Sequence, residues 1–205
     1  MNLEINNWRK SLENPKGMEA QLKMSPKLRA SDIEQFRNKD KATKSAVLIL
    51  IFERNQELFI LLTKRSSKLR KHGGQISFPG GKKDDEDTDL VYTALREAEE
   101  EIGLKSQVEV IGELTPLLIP ITNFCVHQFV AFIPQLPILE FNNQEVEKIM
   151  EVSLSDLRNK NNIKYGKFGK TSSGRLVEAP YYDLDGEKIW GATAMMINEL
   201  IETLF

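Results

Sequence analysis

Three glutamates stand close together near the middle of the chain, at positions 97, 100 and 101. On an α-helix each residue advances by about 100°, so Glu97, Glu100 and Glu101 fall within an arc of roughly 100°. Carboxylates held this close raise one another's pKa, and a divalent cation removes that conflict. Their hard oxygen atoms suit Mg2+ or Mn2+. The spacing therefore predicts a metal site, with a solvated acidic helix face as the alternative that these residues alone leave open.

The segments around the glutamates can hold them in place. A tight turn, Phe78-Pro79-Gly80-Gly81, precedes an acidic loop over residues 82–89, and a helix then runs to Gly103. Apolar positions of this helix form a stripe about a quarter-turn away from the carboxylates. The stripe consists of Val91, Ala94, Leu95, Ala98 and Ile102. One helix face can therefore pack on a core while the carboxylates lie together on another, which favours the metal site.

The rest of the chain predicts an α/β fold. Continuous apolar runs predict strands buried on both faces, as in a sheet between helices. These runs cover residues 46–52, 58–63, 108–118 and 124–132. Helices are predicted over residues 142–150, 154–159 and 192–204, and one or two short helices before residue 45. Residues 158–178, rich in Lys, Asn, Gly and Ser, predict a mobile loop or an insertion, and Asp185-Gly186 predicts a hairpin turn. Mixed strands with a central and a terminal helix fit an α/β/α sandwich around a mixed sheet.

Size, charge and cysteine content limit the classes of protein that this chain can represent. Its 205 residues suit one domain, and we expect residues 1–45 to form a helical and linker extension packed on a domain of residues 46–205. A net charge of −2 and a pI near 5.9 argue against a general nucleic-acid binder. The single cysteine, Cys125, fits a reducing cytoplasm, and no apolar run approaches the ~20 residues of a membrane span. We therefore expect a cytoplasmic protein that does not enter a membrane.

Residues 81–104 resemble the Nudix box, a loop–helix–loop metal site in which a glycine and a loop glutamate precede R-E-U-x-E-E-x-G-U, where U is apolar. Residues 96–104 match the second half. The spacing from Gly81 to Arg96 is one residue longer than usual. Asp87, or Thr88 if the gap is placed earlier, stands where the family has the glutamate that helps to orient the arginine. The resemblance implies that Asp87 orients Arg96 and that the metal ligands are Glu97, Glu100, Glu101 and the carbonyl of Gly81, with the carbonyl of Gly80 as the alternative.

A basic stretch leads directly into the glycine turn. Arg65 and Arg70 can clamp phosphate groups, and Gly74 lets the backbone approach a ligand closely, although a solvated basic loop is the alternative. The stretch resembles the subgroup of Nudix enzymes that hydrolyse coenzyme A (CoA). That subgroup has L-L-T-x-R-(S/A), three residues, R, three residues, G, three residues, F-P-G-G, and it shares the longer spacing in the box. The chain matches each fixed position, at Leu61, Leu62, Thr63, Arg65, Ser66, Arg70, Gly74, Phe78, Pro79, Gly80 and Gly81.

This second resemblance implies a reaction and the residues that carry it. The reaction is metal-dependent hydrolysis of the pyrophosphate bond of CoA, or of a derivative, to adenosine 3',5'-bisphosphate and 4'-phosphopantetheine or its acyl form. Glu97 and Glu101 would be the main metal ligands, with Glu100 as a third ligand or a relay to the attacking water. Glu145 is the candidate general base, with Glu147 as the alternative. The implied substrate-binding residues are Arg65, Arg70, Gly74, Phe78, Gly80 and Phe124, and a place in the core is an equal alternative for Phe124.

Other functions stay open at this point. A Nudix hydrolase could act on another nucleoside diphosphate derivative, such as NADH or ADP-ribose, or on a damaged nucleoside triphosphate. A binding module could keep the fold without hydrolysis, although the intact glutamate set argues against it. Nucleic-acid binding through residues 64–72 is disfavoured by the shortness of the basic stretch and the acidic chain. Because many Nudix enzymes are dimers, the resemblance also suggests a homodimer.

Overall fold

The computed structural model describes residues 2–26, 42–69, 72–105, 108–170 and 176–205. Within these ranges the helices are α1 (Asn2–Leu12), α2 (Gly17–Leu22), α3 (Leu90–Ile102), α4 (Leu154–Arg158) and α5 (Gly191–Leu204). The strands are β1 (Thr43–Arg54), β2 (Glu57–Arg65), β3 (Ile76–Ser77), β4 (Gly80–Lys82), β5 (Glu109–Ile119), β6 (Phe124–Ile133), β7 (Val146–Ser153), β8 (Ile163–Lys170), β9 (Leu176–Leu184) and β10 (Glu187–Trp190). A short 3-10 turn covers Lys160–Asn162, between α4 and β8.

Seven strands form one mixed sheet. Its order is β3-β2-β1-β6-β5, with β4 paired to β1 and β7 paired to β2. β1 and β6 run parallel, from Thr43 beside Phe124 to Phe52 beside Ile133, whereas the other pairs are antiparallel. Residues 45–52 of β1 are all buried, so this strand is covered on both faces, as its continuous apolar run predicts.

Helices cover both faces of the large sheet. On one face, α3 packs Ala94 and Ala98 in a cluster that includes Leu48 of β1. On the other face, α1 and α5 contribute Trp8 and Ile197 to a second and larger cluster. The predicted α/β/α sandwich around a mixed central sheet is therefore confirmed.

Helix α3 begins and ends at residues that cap it. The side chain of Asp89 accepts a hydrogen bond from the backbone N–H of Tyr92 at 2.8 Å, which satisfies a free donor of the first turn. Gly103, at φ 67°, adopts the left-handed conformation, and its N–H donates to the carbonyl of Glu99 at 2.9 Å. Between these ends the helix buries its apolar stripe against the sheet, and the same rotation buries Glu101.

The two N-terminal helices lie against β5 and α5. Trp8 of α1 is 3% exposed, and its ring meets Phe132 edge-on at a centroid distance of 6.4 Å. The fully buried carboxylate of Glu199, in α5, accepts hydrogen bonds from three groups. They are the N–H of Gly17 at 3.0 Å, the Nε2 amide of Gln21 at 2.6 Å and the N–H of Thr115 at 3.1 Å. These contacts fasten α2 to the sandwich, while the division of the chain at residue 45 stays a prediction.

One predicted helix is a strand. The prediction of a helix over residues 142–150 is wrong, because the chain turns at residues 143–145 and continues as β7 beside β2. The register of the β2–β7 pair shifts at an extra residue, Glu147. This bulge leaves Glu147 and Lys148 both exposed, so Val146 and Met150 are buried at a spacing of four. That spacing imitates the apolar period of a helix.

The predicted loop over residues 158–178 is in part regular structure, so that prediction is also wrong. The described part of this range contains the 3-10 turn, β8 and the start of β9, and residues 171–175 lie outside the described residues. β8 pairs with β9, and β9 with β10, in a separate three-stranded sheet. Part of this sheet is open to solvent, since Tyr165 of β8 is 68% exposed. The exposed strand β8 is rich in polar residues, and its composition therefore does not distinguish it from a loop.

The other predicted elements are confirmed. The four apolar runs lie in β1, β2, β5 and β6, and the predicted helices near residues 154 and 192 are α4 and α5. Asp185 and Gly186 have φ of 51° and 83° and join β9 to β10 as the predicted hairpin turn. Two short helices also precede the sheet, as predicted. Among the described residues, no helix is both long enough and apolar enough to span a membrane.

Candidate active site

The glycine turn is pressed against strand β1. Gly80 pairs with Val47, and the N–H of Leu48 donates to the carbonyl of Pro79 at 2.9 Å. Gly80 has φ 155°, and a Cβ at this position would overlap the carbonyl oxygen of Ala46 and the backbone of Val47. Only glycine therefore allows the turn to approach β1 this closely.

The next glycine faces helix α3. A Cβ on Gly81 would overlap the carboxylate of Glu97. The carboxylate of Glu97 therefore occupies the space that a side chain at position 81 would fill. The N–H of Gly80 donates to Oε2 of Glu101 at 3.2 Å. The turn and two successive turns of α3 therefore meet at the two carboxylates predicted to be the main metal ligands.

Glu101 is the more buried of the two, with 3% of its side chain exposed. Burial raises its pKa to about 7, even though Arg65 and the N–H of Gly80 oppose the rise. Nη1 of Arg65 donates to Oε1 of Glu101 at 3.2 Å. The charges of Glu97 and Glu145 raise the pKa further. The carboxylate thus lies in a site where added positive charge would be favourable.

Glu97 is 17% exposed, and burial raises its pKa above the ordinary value, with Arg96 opposing. Nη1 of Arg96 donates to Oε1 of Glu97 at 3.0 Å and to Oε2 of Glu100 at 3.2 Å. Glu100 itself is 59% exposed at the outer side of this group. The structure therefore brings Glu97 and Glu101 together at the glycine turn, with Glu100 farther toward solvent.

Arg96 is held from the other side by Asp87. Its Nε donates to Oδ1 of Asp87 at 2.9 Å and its Nη2 to Oδ2 at 3.0 Å, in the bidentate geometry of a strong ion pair. Asp87 also accepts from the hydroxyl of Thr93 at 2.8 Å and the N–H of Asp84 at 3.0 Å. The guanidinium of Arg96 holds the pKa of Asp87 far below its usual range, and Asp87 in turn raises the pKa of Arg96. The longer loop therefore allows a shorter acid to reach the arginine.

Replacing Asp87 by asparagine is expected to lower the melting temperature by about 5–10 °C, because Arg96 loses its charged partner. We also expect kcat/KM to fall about 10- to 100-fold, because Arg96 would no longer be held beside Glu97. Thermal unfolding and steady-state kinetics measure the two effects. Asp85→Asn, an exposed change in the same loop, is the matched control, and an equal loss in both variants would contradict a special role for Asp87.

The Asp87 pair also predicts how stability depends on pH. The fold lowers the pKa of Asp87. The carboxylate of Asp87 therefore contributes its full stabilisation above the pKa of an unfolded aspartate, about 3.9, and this contribution is lost as the pH falls from there toward the lowered pKa. The difference in melting temperature between the wild type and Asp87→Asn should therefore narrow below about pH 4. A difference that stays constant into acid would show that the ion pair is not its source.

The candidate general base, Glu145, ends a turn of residues 142–145, here called the 142–145 turn, which contacts both sides of the site. The N–H of Asn142 donates to the carbonyl of Glu101 at 2.9 Å, and the N–H of Ser66 donates to the carbonyl of Glu145 at 2.8 Å. Glu147 instead accepts from the N–H of Ser67 at 3.4 Å and lies 3.9 Å from Lys64. Of the two candidates, Glu145 is the one whose charge acts on Glu101.

The predicted substrate-binding residues are placed differently from one another. Arg65 adjoins Glu101, and Gly74, at φ 74°, closes its loop by donating its N–H to the carbonyl of Arg65 at 3.0 Å. The side chain of Phe78 is 1% exposed and lies in the core, and a role of this residue in substrate binding stays a prediction. Phe124 is partly buried against the same core. Arg70 lies outside the described residues.

Sequence reasoning missed the residue that holds the 142–145 turn in place, which is Asn142. Asn142 carries its backbone contact with Glu101, and its side chain accepts the N–H of Gln144 at 3.0 Å. That side-chain contact is a recognised turn signal of asparagine, and the Asn142-Asn143 pair could have indicated a turn instead of a helix. The pairing of Arg65 with Glu101 had no such signal, because it joins residues 36 positions apart.

The donors at the site suit a divalent cation. In the described part of the chain, no group of three or more His, Cys, Asp or Glu side chains is arranged to hold a metal ion as it stands. Glu97 and Glu101 each contact an arginine. Both carboxylates are largely buried on successive helix turns, and the charge of Glu97 adds to the raised pKa of Glu101. Oxygen donors with unfavourable mutual charge fit Mg2+ or Mn2+.

The chain belongs to the Nudix family, since the NUDIX domain model matches residues 42–170. This range includes the glycine turn, α3 and the 142–145 turn. It is a pyrophosphohydrolase of a family that acts on nucleoside diphosphate derivatives and generally uses divalent metals. It is 38% identical over 144 residues to the uncharacterized Nudix hydrolase NudL of Photorhabdus laumondii, a match covering 70% of this chain and 75% of that protein. The uncharacterized NudL of Yersinia enterocolitica is 38% identical over 159 residues, covering 77% of this chain and 80% of that protein.

Solved structures agree with the fold. A MutT/nudix family protein from Enterococcus faecalis superimposes with a TM-score of 0.53 at 14% identity, covering 90% of this chain and 73% of that chain. A NUDIX hydrolase from Alicyclobacillus acidocaldarius gives 0.52 at 18% identity, covering 79% of this chain and 92% of that chain. At such low identity these likenesses show the shared fold alone.

Proposed function

We propose that the protein hydrolyses the pyrophosphate bond of CoA or a CoA derivative, yielding adenosine 3',5'-bisphosphate and 4'-phosphopantetheine or its acyl form. The observation that carries the proposal is the position of the 61–81 motif. Its strand β2 ends at Arg65, beside Glu101, and its glycine turn contacts both Glu97 and Glu101. Three residues of the motif, Arg65, Gly80 and Gly81, therefore border the carboxylates directly.

We assign the metal ligands to the carboxylates that meet at the glycine turn. Glu97 and Glu101 would hold Mg2+ or Mn2+, with the carbonyl of Gly81 completing the set and Glu100 acting as a third ligand or a relay. When bound, the cation neutralises charge on the pyrophosphate and makes a coordinated water more acidic. Asp87 fixes Arg96, and Arg96 fixes Glu97, so that the ligand is already oriented.

Glu145 is our candidate for the general base. The water oxygen bonds to one phosphorus, the bridging P–O bond breaks, and the proton of the water passes to the carboxylate of Glu145. Glu145 is exposed, and its turn is tied to both Ser66 and Glu101, so its side chain stands at the solvent edge of the buried carboxylates. Arg65 and Arg70 would bind the phosphates.

Product analysis of CoA incubated with the protein tests this proposal. We expect adenosine 3',5'-bisphosphate and 4'-phosphopantetheine to form with Mg2+ or Mn2+, and none to form with EDTA. A panel of 3'-dephospho-CoA, acyl-CoA, NADH and ADP-ribose identifies the preferred substrate. Turnover of NADH or ADP-ribose without CoA cleavage would overturn the substrate, and no turnover of any compound would favour a nucleotide-binding module.

The remaining expectations concern the setting of the enzyme. The Nudix family binds small nucleotide substrates, and we propose a small CoA-type nucleotide as the partner here, without nucleic acid or membrane. We further propose that the protein acts in the cytoplasm as a homodimer. Fractionation of cells and light scattering of the purified protein test these two points.

A further inference from the structure

The two arginines at the site are held in different ways. Arg96 donates to Glu97 and Glu100, which are candidate metal ligands. It is also anchored on other groups, by two hydrogen bonds to Asp87 and one to the carbonyl of Lys82 at 3.3 Å. Arg65 contacts Glu101 through a single N–H, at 3.2 Å. Its partner is therefore one of the candidate ligands themselves.

We propose that Arg65 is a displaceable counter-ion, which neutralises Glu101 before a divalent cation binds and leaves this carboxylate when the cation arrives. The guanidinium then becomes available to the phosphate groups of the substrate. This inference rests on the metal site of the proposed function, and it adds an order of events, because the cation must bind before Arg65 can bind phosphate.

The burial of Glu101 is the first reason. A carboxylate that is 3% exposed is costly without a nearby positive charge, and Arg65 supplies that charge. A cation bound to the same carboxylate would lie close to the guanidinium, and two positive charges repel strongly at a site with little water. Glu101 therefore has room for one of the two cations at a time.

The freedom of Arg65 is the second reason. Its side chain is 27% exposed, at the end of β2, so part of it already faces solvent. A guanidinium has five N–H donors in a planar fork that matches phosphate oxygens. Arg96 lacks this freedom, because two of its N–H groups are held by Asp87, which is not a candidate metal ligand.

Binding of Mn2+ alone, without nucleotide, tests the exchange. The concentration of free Mn2+ is measured by electron paramagnetic resonance at about pH 8, where an isolated carboxylate is ionised. We expect Arg65→Met to bind Mn2+ about tenfold more tightly than the wild type, because its competitor is gone. Without metal the same variant should melt at a lower temperature, because Glu101 loses its partner. Arg54→Met is the matched control, since it removes the same charge from a surface pair with Glu151 and should bind Mn2+ as the wild type does.

Unchanged or weaker Mn2+ binding by Arg65→Met would overturn the inference, because Arg65 would then organise the site instead of competing for it. If this variant does not fold, nuclear magnetic resonance of arginine side chains in the wild type decides. The signal of Arg65, identified by its absence in Arg65→Lys, should shift on addition of Mg2+ while that of Arg96 stays, and an unshifted Arg65 would overturn the exchange. A wild type that binds Mn2+ but does not cleave CoA would refute only the substrate.

Discussion

Replacing Glu101 by glutamine is expected to lower kcat/KM on the order of 10³-fold while leaving the protein folded. The amide keeps the size and shape of the side chain but lacks the negative charge that a cation requires. The N–H of Gly80 and the guanidinium of Arg65 both donate to Glu101, so the wild-type carboxylate has a defined position at the glycine turn. Product chromatography gives the activity, and Mn2+ titration gives the metal affinity, which we expect to fall together with it.

Glu99→Gln is the matched control for this change. Glu99 lies on the same helix and is exposed, so the same chemical substitution there should change kcat/KM less than about twofold. Both variants should melt within a few degrees of the wild type. Full activity of Glu101→Gln would refute the assignment of Glu101 as a metal ligand, and an unfolded variant would place its importance in stability.

Changing each of the two adjacent glycines to alanine is expected to have different effects, a loss of activity for Gly81 and a loss of stability for Gly80. In Gly81→Ala the added methyl group would meet the carboxylate of Glu97, the movable end of a side chain. Glu97 would shift away, and we expect kcat/KM to fall about 100-fold with little change in melting temperature. In Gly80→Ala the methyl group would meet the backbone of Ala46 and Val47, which cannot move without opening the sheet. We expect that variant to lose more than about 3 kcal/mol of stability.

Thermal melts and Mn2+ titration separate the two glycine effects. Gly81→Ala should be folded yet bind Mn2+ weakly, whereas Gly80→Ala should unfold at a much lower temperature. If Gly81→Ala binds Mn2+ normally and retains activity, Glu97 does not depend on the space beside Gly81. Gly186→Ala, in the distant hairpin, is a control for positive φ without a crowded neighbour.

The parts of the fold that could be predicted are those in which local pattern and burial agree. The run over residues 46–52 is apolar throughout because β1 is covered by helices on both faces. Helix α3 has its stripe, its Asp89 cap and its Gly103 end in one continuous stretch. In each case the signal lies within a single continuous stretch of about fifteen residues or fewer, so no knowledge of distant contacts was needed.

The elements that were mispredicted depend on distant partners. β7 takes its conformation from pairing with β2, and the bulge at Glu147 removes the alternation that would have identified a strand. β8 is a strand because β9 pairs with it, although its composition is that of a loop. Tertiary pairing overrides local preference in both segments.

The candidate site divides in the same way. Glu97 and Glu101 could be predicted because helix geometry alone brings them together, and the Gly80-Gly81 turn because the motif marks it. The partner of Arg65 could not be predicted, since it depends on how the end of β2 meets α3 in the folded sheet. Phe78 matched a motif position that the resemblance associated with substrate, and the burial of its side chain in the core could not be read from the motif.

The buried carboxylate of Glu199 has a consequence for where this protein can be cut. The family match begins at residue 42, and a chain starting there would retain all of the candidate ligands. It would nevertheless lose the N–H of Gly17 and the amide of Gln21, and leave Glu199 with fewer donors in an apolar interior. It would also uncover the surface of Phe132 that Trp8 covers. We therefore expect the cooperative unit of folding to reach further toward the N-terminus than the segment that defines the family.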